Sequence, residues 1–400
     1  MKKSLIAALV ASAAWVSVAN AETVVYDKDG TSMFIDGRVM AVWYSAANSA
    51  TNNGAEDSSI VNSGRFGIGA SSPIGNTGFT AIGYMQWNVS DGDLHGDDGF
   101  TSRDQYVAID GGKWGKLKVG KFQDSLVAVG GDATDIYETW GQTATALGSV
   151  ERRQGQIQYS WSGYGVNVLI GYQAAKDQIS HPALSKAENL SGDSNYQNRL
   201  FYEDDDSYKC DYADIESGFN FAITYTTPEV LFGPITVGAG YAWYAVQTDN
   251  YGVASGHNNN YYADDIQEWV ASIRWGDLSV GPYVAVMYNS VTLGADHADE
   301  YWDDTTYQGV EIALGYSFDF GVHIYTGWQW QELDTDAGKL SAYDGESASV
   351  VPLFIGWQVN PQFDVWVEAI FAVDTDDNTE TWATAMTDEN AVGVGARYNF

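Results

Sequence analysis

The sequence has little cysteine, little basic charge and no long apolar run beyond its N-terminus. Cys210 is the single cysteine among 400 residues, which excludes an intrachain disulfide and zinc motifs that use paired cysteines, and we assign it no role. The 19 Lys and Arg residues are outnumbered by 53 Asp and Glu, so a basic surface for nucleic acid is not expected. No later segment has the roughly 18 consecutive apolar residues that a membrane-spanning helix needs.

Aromatic residues and glycine are abundant instead. The chain contains 26 Tyr, 15 Trp and 43 Gly residues, and Tyr and Trp suit the boundary between hydrocarbon and water. The net charge of −34 fits either a saline habitat or a pore that favours cations, and composition does not distinguish between them.

The N-terminus has the three parts of a secretory signal peptide. Residues 1–3 carry two lysines, residues 5–18 are mainly apolar, and residues 19–21 form an A-x-A cleavage motif. The sequence therefore predicts a cleaved signal peptide at residues 1–21, export through the Sec pathway, and one mature domain at residues 22–400.

Alternation of apolar and polar or small residues predicts β-strands throughout the mature chain. At the C-terminus, Val394 and Tyr398 lie on one face of such a segment, while Arg397 lies on the opposite face. One face suits lipid and the other suits water, which is the pattern of a transmembrane barrel strand. Sixteen such segments can be counted between residues 32 and 400, and an even number is expected of a closed barrel.

The connections between these segments are alternately short and long. Seven short turns and eight long loops fit a barrel whose two rims differ, whereas a soluble sandwich has no reason to keep every second connection short. We therefore predict an all-β fold, a transmembrane antiparallel 16-stranded β-barrel.

The third long connection, residues 122–151, is the segment around which we expect the lumen to be organised. It contains Asp132, Asp135, Glu138 and Glu151 and no Lys or Arg. A loop of this length without clear periodicity is commonly functional or disordered. An acidic loop between barrel strands, near arginines that point inward, would form a charged constriction in a water-filled tube, and an ordinary solvated loop is the alternative.

Several segments resemble the general (non-specific) diffusion porins of Gram-negative outer membranes. The resemblance depends on RDQYVAIDGGKWGKLKVGKFQDS (103–125), RRQGQIQYSWSGYGVNV (152–168), YDKDGTSMFIDGRV (26–39) and the terminal Phe400. It implies a sixteen-stranded barrel in the bacterial outer membrane, usually a homotrimer, whose third external loop folds inward and narrows each pore. It also implies contact with membrane lipid and lipopolysaccharide, and recognition of Phe400 by the barrel-assembly machinery.

The resemblance also implies opposed charges at the narrowest point of the pore. The stretch YETWG looks like the acidic turn of the family, which places Glu138, and Asp135 before it, on the acidic side. We assign Asp132, in the same loop, to that side with them. The corresponding basic positions are Arg38, Arg65, Arg103 and Arg152. The alternative for these arginines is ordinary salt bridging inside the barrel.

Alternation within single strands gives further predictions for charged residues near this loop. Arg152 shares its phase with Gln154 and Gln156, so strict alternation turns Arg152 inward and Arg153 outward. The same rule turns Asp104 outward, where we expect it at the rim or in a subunit contact because a charge facing mid-membrane lipid is costly.

We predict passive diffusion of small hydrophilic solutes and ions, with a preference for cations, and no enzymatic activity. A substrate-selective sugar channel would need an inward file of aromatic side chains, whereas many aromatics here share the lipid-facing phase. An outer-membrane hydrolase or an adhesive barrel with a plugged lumen are further alternatives. The sequence contains no GxSxG motif to support the hydrolase.

No cofactor or metal site is predicted. The five histidines (His95, His181, His257, His297 and His323) show no HExxH spacing. The acidic runs 203–206 and 374–377 could bind Ca²⁺ or Mg²⁺ weakly as external loops, but they lack the glycine of an EF-hand, and solvated loops explain them more simply.

Overall fold

The computed structural model describes residues 23–45, 60–91, 98–183, 212–246, 263–295, 303–336, 341–376 and 390–400. The predicted signal peptide, Cys210, the acidic run 203–206 and most of the segment 174–215 lie outside these ranges. No helix within the described ranges is long and apolar enough to cross a membrane.

Eighteen strands form within the described ranges, with four short helical segments between them. The strands are β1 (Thr23–Lys28), β2 (Thr31–Tyr44), β3 (Ile60–Pro73), β4 (Thr80–Asp91), β5 (Asp98–Asp110), β6 (Lys116–Phe122), β7 (Arg153–Gly163), β8 (Val166–Gln173), β9 (Lys176–Ser180), β10 (Tyr212–Val230), β11 (Gly233–Val246), β12 (Asp265–Asp277), β13 (Val280–Gly294), β14 (Thr305–Ser317), β15 (Val322–Thr335), β16 (Ser347–Asn360), β17 (Phe363–Thr375) and β18 (Ala391–Asn399). The helical segments are Gly112–Trp114, Ser125–Ala128, Gly131–Thr134 and Gly148–Val150.

Sixteen of these strands close into one antiparallel ring. Strands β2 to β8 pair in chain order, β8 then pairs with β10, and strands β10 to β18 again pair in chain order. The ring closes where β18 pairs with β2, from Gly393 opposite Tyr44 to Asn399 opposite Arg38. The predicted 16-stranded barrel is therefore confirmed.

The two strands outside the ring were not among the sixteen predicted segments. β1 forms a hairpin with the first half of β2, and β9 pairs with β10 beyond the end of β8. Both are only five or six residues long, so their alternation is too short to stand out from the neighbouring loops.

The side chains of the ring alternate between two different environments. On β13, Val284, Val286 and Tyr288 are exposed on the outer face, whereas Ala285 and Met287 are buried on the inner face. An outer surface this rich in aliphatic and aromatic residues is suited to hydrocarbon rather than to water. On β18, the predicted opposition of Val394 and Arg397 is likewise confirmed.

A bulge in β5 overturns the prediction that Asp104 faces outward. Ser102 pairs with Trp87 and Gln105 pairs with Met85, so Arg103 and Asp104 together oppose the single residue Gln86. The extra residue brings two consecutive side chains to the inner face. Asp104 consequently lies inside the barrel.

A second bulge, in β7, overturns the prediction that Arg153 faces outward. Arg153 pairs with Phe122, and the next paired residue is Gln156, opposite Gly120. The intervening Gly155 has φ of 77°, which glycine adopts without strain. The phase therefore changes within the strand, and Arg153 is buried together with Gln156.

Candidate functional site

Residues 122–151, called the inner loop below, form a compact segment with its own buried side chains. The carboxylate of Asp124 accepts a hydrogen bond from the Leu126 amide at 2.9 Å and so caps the helical segment Ser125–Ala128. Leu126, Trp140 and Leu147 are almost completely buried. Burial of apolar side chains on this scale separates the inner loop from an ordinary solvated connection.

Three glutamates of the barrel wall bind the backbone of the inner loop. They lie on β12, β14 and β17, and each is at most 1% exposed. Carboxylates that accept backbone N–H groups form hydrogen bonds stronger than neutral ones. The contacts are Gly148 N with Glu268 at 2.8 Å, Ala144 N with Glu311 at 3.2 Å, and Thr139 N and Trp140 N with Glu368 at 3.0 and 2.8 Å.

Two further features hold the loop against the same part of the wall. The amide of Asn289 on β13 donates to the carbonyl of Ala144 at 3.1 Å. A methyl group on Gly309 of β14 would overlap that same carbonyl oxygen, so glycine permits the close approach of loop and strand. The inner loop therefore packs on strands more than a hundred residues away in sequence.

Glu138 lies where the inner loop meets two arginines. The Nη1 atom of Arg397 is 2.6 Å from both of its carboxylate oxygens, and Nη1 of Arg38 is 4.0 Å from Oε2. Arg397 also contacts Asp364 at 3.2 Å. Burial alone would raise the pKa of Glu138, but Arg397 and Arg38 outweigh it, and the pKa is lowered.

Asp135 and Asp132 differ from Glu138 because their pKa values are raised. Burial, reinforced by the negative charge of Glu138, raises the pKa of Asp135 to about 6. The Asp135 side chain is nevertheless in contact with solvent, so it can exchange protons with the water of the lumen. Burial also raises the pKa of Asp132 to about 6, and the nearby Arg274 opposes this effect. The guanidinium of Arg274 donates to the Asp132 carbonyl.

The four predicted arginines lie together across the lumen from the strands that anchor the inner loop, and we call this group the basic wall. Its members are Arg38 on β2, Arg65 on β3, Arg103 on β5 and Arg152 just before β7. Arg38 and Arg65 are directly paired across neighbouring strands, which is unfavourable for like charges. Arg103 donates from Nε to Gln86 at 3.1 Å, and Nε of Arg152 lies 3.0 Å from Asp104. The structure thus brings the predicted basic residues to one wall and Glu138 to within ion-pair distance of it.

A buried polar cluster at the start of the inner loop was missed by sequence reasoning. Arg153 forms an ion pair with Asp124 and donates to the Tyr244 hydroxyl at 2.7 Å. Glu268 lies 3.9 Å from Arg153 and 3.1 Å from Nε2 of His181. Gly155 was the available signal, because a glycine inside a strand often marks a bulge that changes the phase of its neighbours.

The three wall glutamates were also missed as anchors of the loop. Each is an acid on the inward phase of its strand, which signals an interior polar role but does not identify the partner. Within the described ranges, no group of three His, Cys, Asp or Glu side chains could hold a metal ion.

Aromatic rings also line part of the inner wall. Four rings form a row, called the aromatic file below, in which each contacts the next: Phe34, Tyr84, Tyr106 and Phe122. The successive centroid separations are 6.0, 5.6 and 6.2 Å. The hydroxyl of Tyr84 donates to Asp36 at 2.9 Å, which fixes one ring of the file.

Comparisons with known proteins agree with this architecture. A family model described as Gram-negative porin matches residues 6–400. Outer membrane protein U of Vibrio parahaemolyticus is 26% identical over 249 residues, covering 59% of this chain and 70% of that protein.

Solved structures share the fold at low sequence identity. OmpF of Salmonella typhi in complex with daunomycin superposes with a TM-score of 0.64 at 16% identity, covering 94% of this chain and all of that one. In-vitro folded OmpT of Vibrio cholerae gives a TM-score of 0.63 at 14% identity, covering 94% of this chain and 99% of that one. With a family match over nearly its whole length and a closed barrel, this chain belongs to the Gram-negative porins and is an outer-membrane diffusion channel rather than an enzyme.

Proposed function

We propose that this porin passes small hydrophilic solutes and ions, prefers cations, and is narrowed by the inner loop. The observation that carries the proposal is the 4.0 Å approach of Arg38, on the basic wall, to Glu138, on the inner loop. An acidic loop facing a basic wall creates a field across the pore. Lumen water and dipolar solutes align in such a field, whereas an apolar solute must disturb the aligned water.

The preference for cations is supported by the way the charges are distributed. Two guanidinium groups near the constriction are closely paired with acids, Arg397 with Glu138 and Arg152 with Asp104. Asp135 remains exposed to the lumen. The chain as a whole carries a net charge of −34, which raises the local concentration of cations near its surface.

Assembly and export complete the proposal. We infer a homotrimer embedded in lipid and lipopolysaccharide, supported by the apolar outer face and by the similarity to a trimeric form of OmpT from Vibrio cholerae. Residues 1–21 direct export through the Sec pathway. Recognition of Phe400 by the barrel-assembly machinery fits its position at the end of the closing strand.

Planar bilayers containing the purified protein test ion conduction and preference. Large ohmic steps are expected, with a reversal potential in a KCl gradient that indicates K⁺ over Cl⁻. A reversal potential of the opposite sign would contradict the cation preference, and absence of conductance would contradict the channel itself. Swelling of liposomes in graded sugars then measures the size limit.

A substrate-selective sugar channel is the second candidate, favoured by the three partly exposed rings of the aromatic file, Phe34, Tyr84 and Tyr106. Sugars bind to stacked aromatic side chains through their apolar faces. Such a channel predicts conductance that is blocked by low concentrations of a sugar, with saturation. Simple diffusion predicts a sugar flux that rises linearly with concentration.

A further inference from the structure

Asp104 is an acid placed by a bulge among the arginines of the basic wall. Its carboxylate Oδ2 is 3.0 Å from Nε of Arg152, and its side chain is 21% exposed. Because Arg103 and Asp104 both face inward, opposite charges occupy consecutive positions of β5. Partial exposure leaves the carboxylate in contact with the water of the lumen.

Asp104 is also the acid that the other cations near this wall share. Arg65, Arg103 and Lys118 each interact electrostatically with it, although no ion pair within 4.0 Å joins any of them to an acid in the described ranges. The Nε atom of Arg65 is buried and has no hydrogen-bond partner among the residues that the structure describes. A crowded set of cations with one central carboxylate would attract small anions more strongly if that carboxylate were neutral.

We propose that Asp104 is a specificity-determining residue of the pore. Its negative charge cancels part of the field of the basic wall and occupies Arg152, so chloride, phosphate and small carboxylates find no strong binding position there. This inference rests on the proposed diffusion function and names one residue that sets the ion preference of that function.

The test compares Asp104→Asn with wild type by reversal potential in a KCl gradient. Asparagine keeps the size of the side chain and removes its charge. At a few ångströms in partly screened water, loss of one charge should lower the K⁺/Cl⁻ permeability ratio about two- to fivefold. The matched control is Asp110→Asn, which removes the same charge from the same strand, near its far end, where Asp110 lies 3.5 Å from Lys116. The control should change the ratio little.

Two further variants separate charge from structural support. Asp104→Glu keeps the charge and should retain the wild-type ratio. Combining Asp104→Asn with Arg152→Gln restores the net charge of the wall without the ion pair, and the ratio should return towards wild type. If the double variant stays as altered as Asp104→Asn alone, Asp104 is only a brace for Arg152 and the inference is wrong.

The remaining outcomes are equally distinct. Equal ratios for Asp104→Asn and the control would overturn the inference while leaving a cation-preferring porin intact. An anion-preferring wild type would overturn the proposed function, yet the change on neutralising Asp104 would still be measurable. Heat-modifiable migration on gels shows in each case that the barrel is folded.

Discussion

Arg397 and Glu138 are joined at two oxygens by a single guanidinium nitrogen, with both distances at 2.6 Å and 259 residues of chain between them. The contact links the inner loop to β18, the strand that closes the ring. Arg397 is 4% exposed and Glu138 is 20% exposed, so water reaches only one end of the pair. This partly buried ion pair therefore fixes the inner loop against β18.

Neutralising Asp135 and Glu138 together, as Asp135→Asn with Glu138→Gln, should lower the K⁺/Cl⁻ permeability ratio. The two substitutions remove the acids that face the basic wall and leave its arginines unbalanced. The size limit for sugars should also change, because Glu138 no longer holds Arg397. Reversal potentials and liposome swelling measure the two effects.

The control for this pair removes two acids from the ends of strands β10 and β12, beside short turns, as Glu229→Gln with Asp277→Asn. Both side chains are exposed and far in sequence from the inner loop. Equal changes in the two double variants would mean that overall charge, and not the inner loop, sets the preference.

Acidification should weaken the cation preference between pH 7 and pH 5. Asp135 and Asp132 have pKa values raised to about 6, so they take up protons in this interval. Glu138 stays ionised because its pKa is lowered. Reversal potentials recorded across the interval should therefore show a step, and Asp132→Asn with Asp135→Asn should remove most of it.

The same pKa values fix the sign of the effect on stability. An acid whose folded pKa lies above its unfolded value binds protons more readily in the folded chain, so its contribution becomes more favourable as pH falls from about 7 towards 4. A step in selectivity without loss of heat-modifiable folded protein is expected. Unfolding of the barrel over that interval would show that other groups cause the step.

Replacing Glu368 by alanine should loosen the inner loop without opening the barrel. The substitution leaves the amides of Thr139 and Trp140 without their acceptor, at a cost of about 1–3 kcal/mol for each buried unpaired group. Single-channel recordings should show more current noise, and sugar exclusion should relax.

Glu368→Gln is the matched control for the alanine variant. It keeps one acceptor oxygen near the two amides, so its current noise should lie closer to wild type. If alanine and glutamine behave alike, the charge of Glu368 rather than its hydrogen bonds holds the loop.

Gly309→Ala should push the inner loop away from β14 and into the lumen. The added methyl group overlaps the carbonyl oxygen of Ala144, and relief requires movement of the loop backbone. Overpacking of this kind typically costs about 1–3 kcal/mol. We expect a smaller conductance and a lower melting temperature in detergent.

Gly83→Ala is the comparison for this variant, because a methyl group on Gly83 meets no atom within 4 Å. Its conductance and melting temperature should match those of wild type. A normal conductance in Gly309→Ala would mean that the inner loop does not line the narrowest part of the lumen.

The sequence predicted the barrel because the alternation of side chains between two faces repeats along most of the strands and can be read from neighbouring residues alone. The same rule failed at β5 and β7, where an inserted residue changes the phase and brings Asp104 and Arg153 to the inner face. A bulge depends on the partner strand, so alternation within one strand does not reveal it.

Some charged residues of the lumen were predicted from the sequence, and others were not. Glu138 and the arginines of the basic wall were found through resemblance to a family and through their phase. The anchoring of the inner loop by Glu311 and Glu368 was not, since 167 and 228 residues separate these acids from the loop amides of Ala144 and Trp140. Distances of that kind are fixed only when the ring closes.

The pairing of β18 with β2 has a consequence for biogenesis. Until β18 pairs with β2, the sheet has two unpaired edges, and hydrocarbon cannot form hydrogen bonds with their backbone N–H and C=O groups. Joining these two strands is therefore the step that allows the sheet to reside in the membrane.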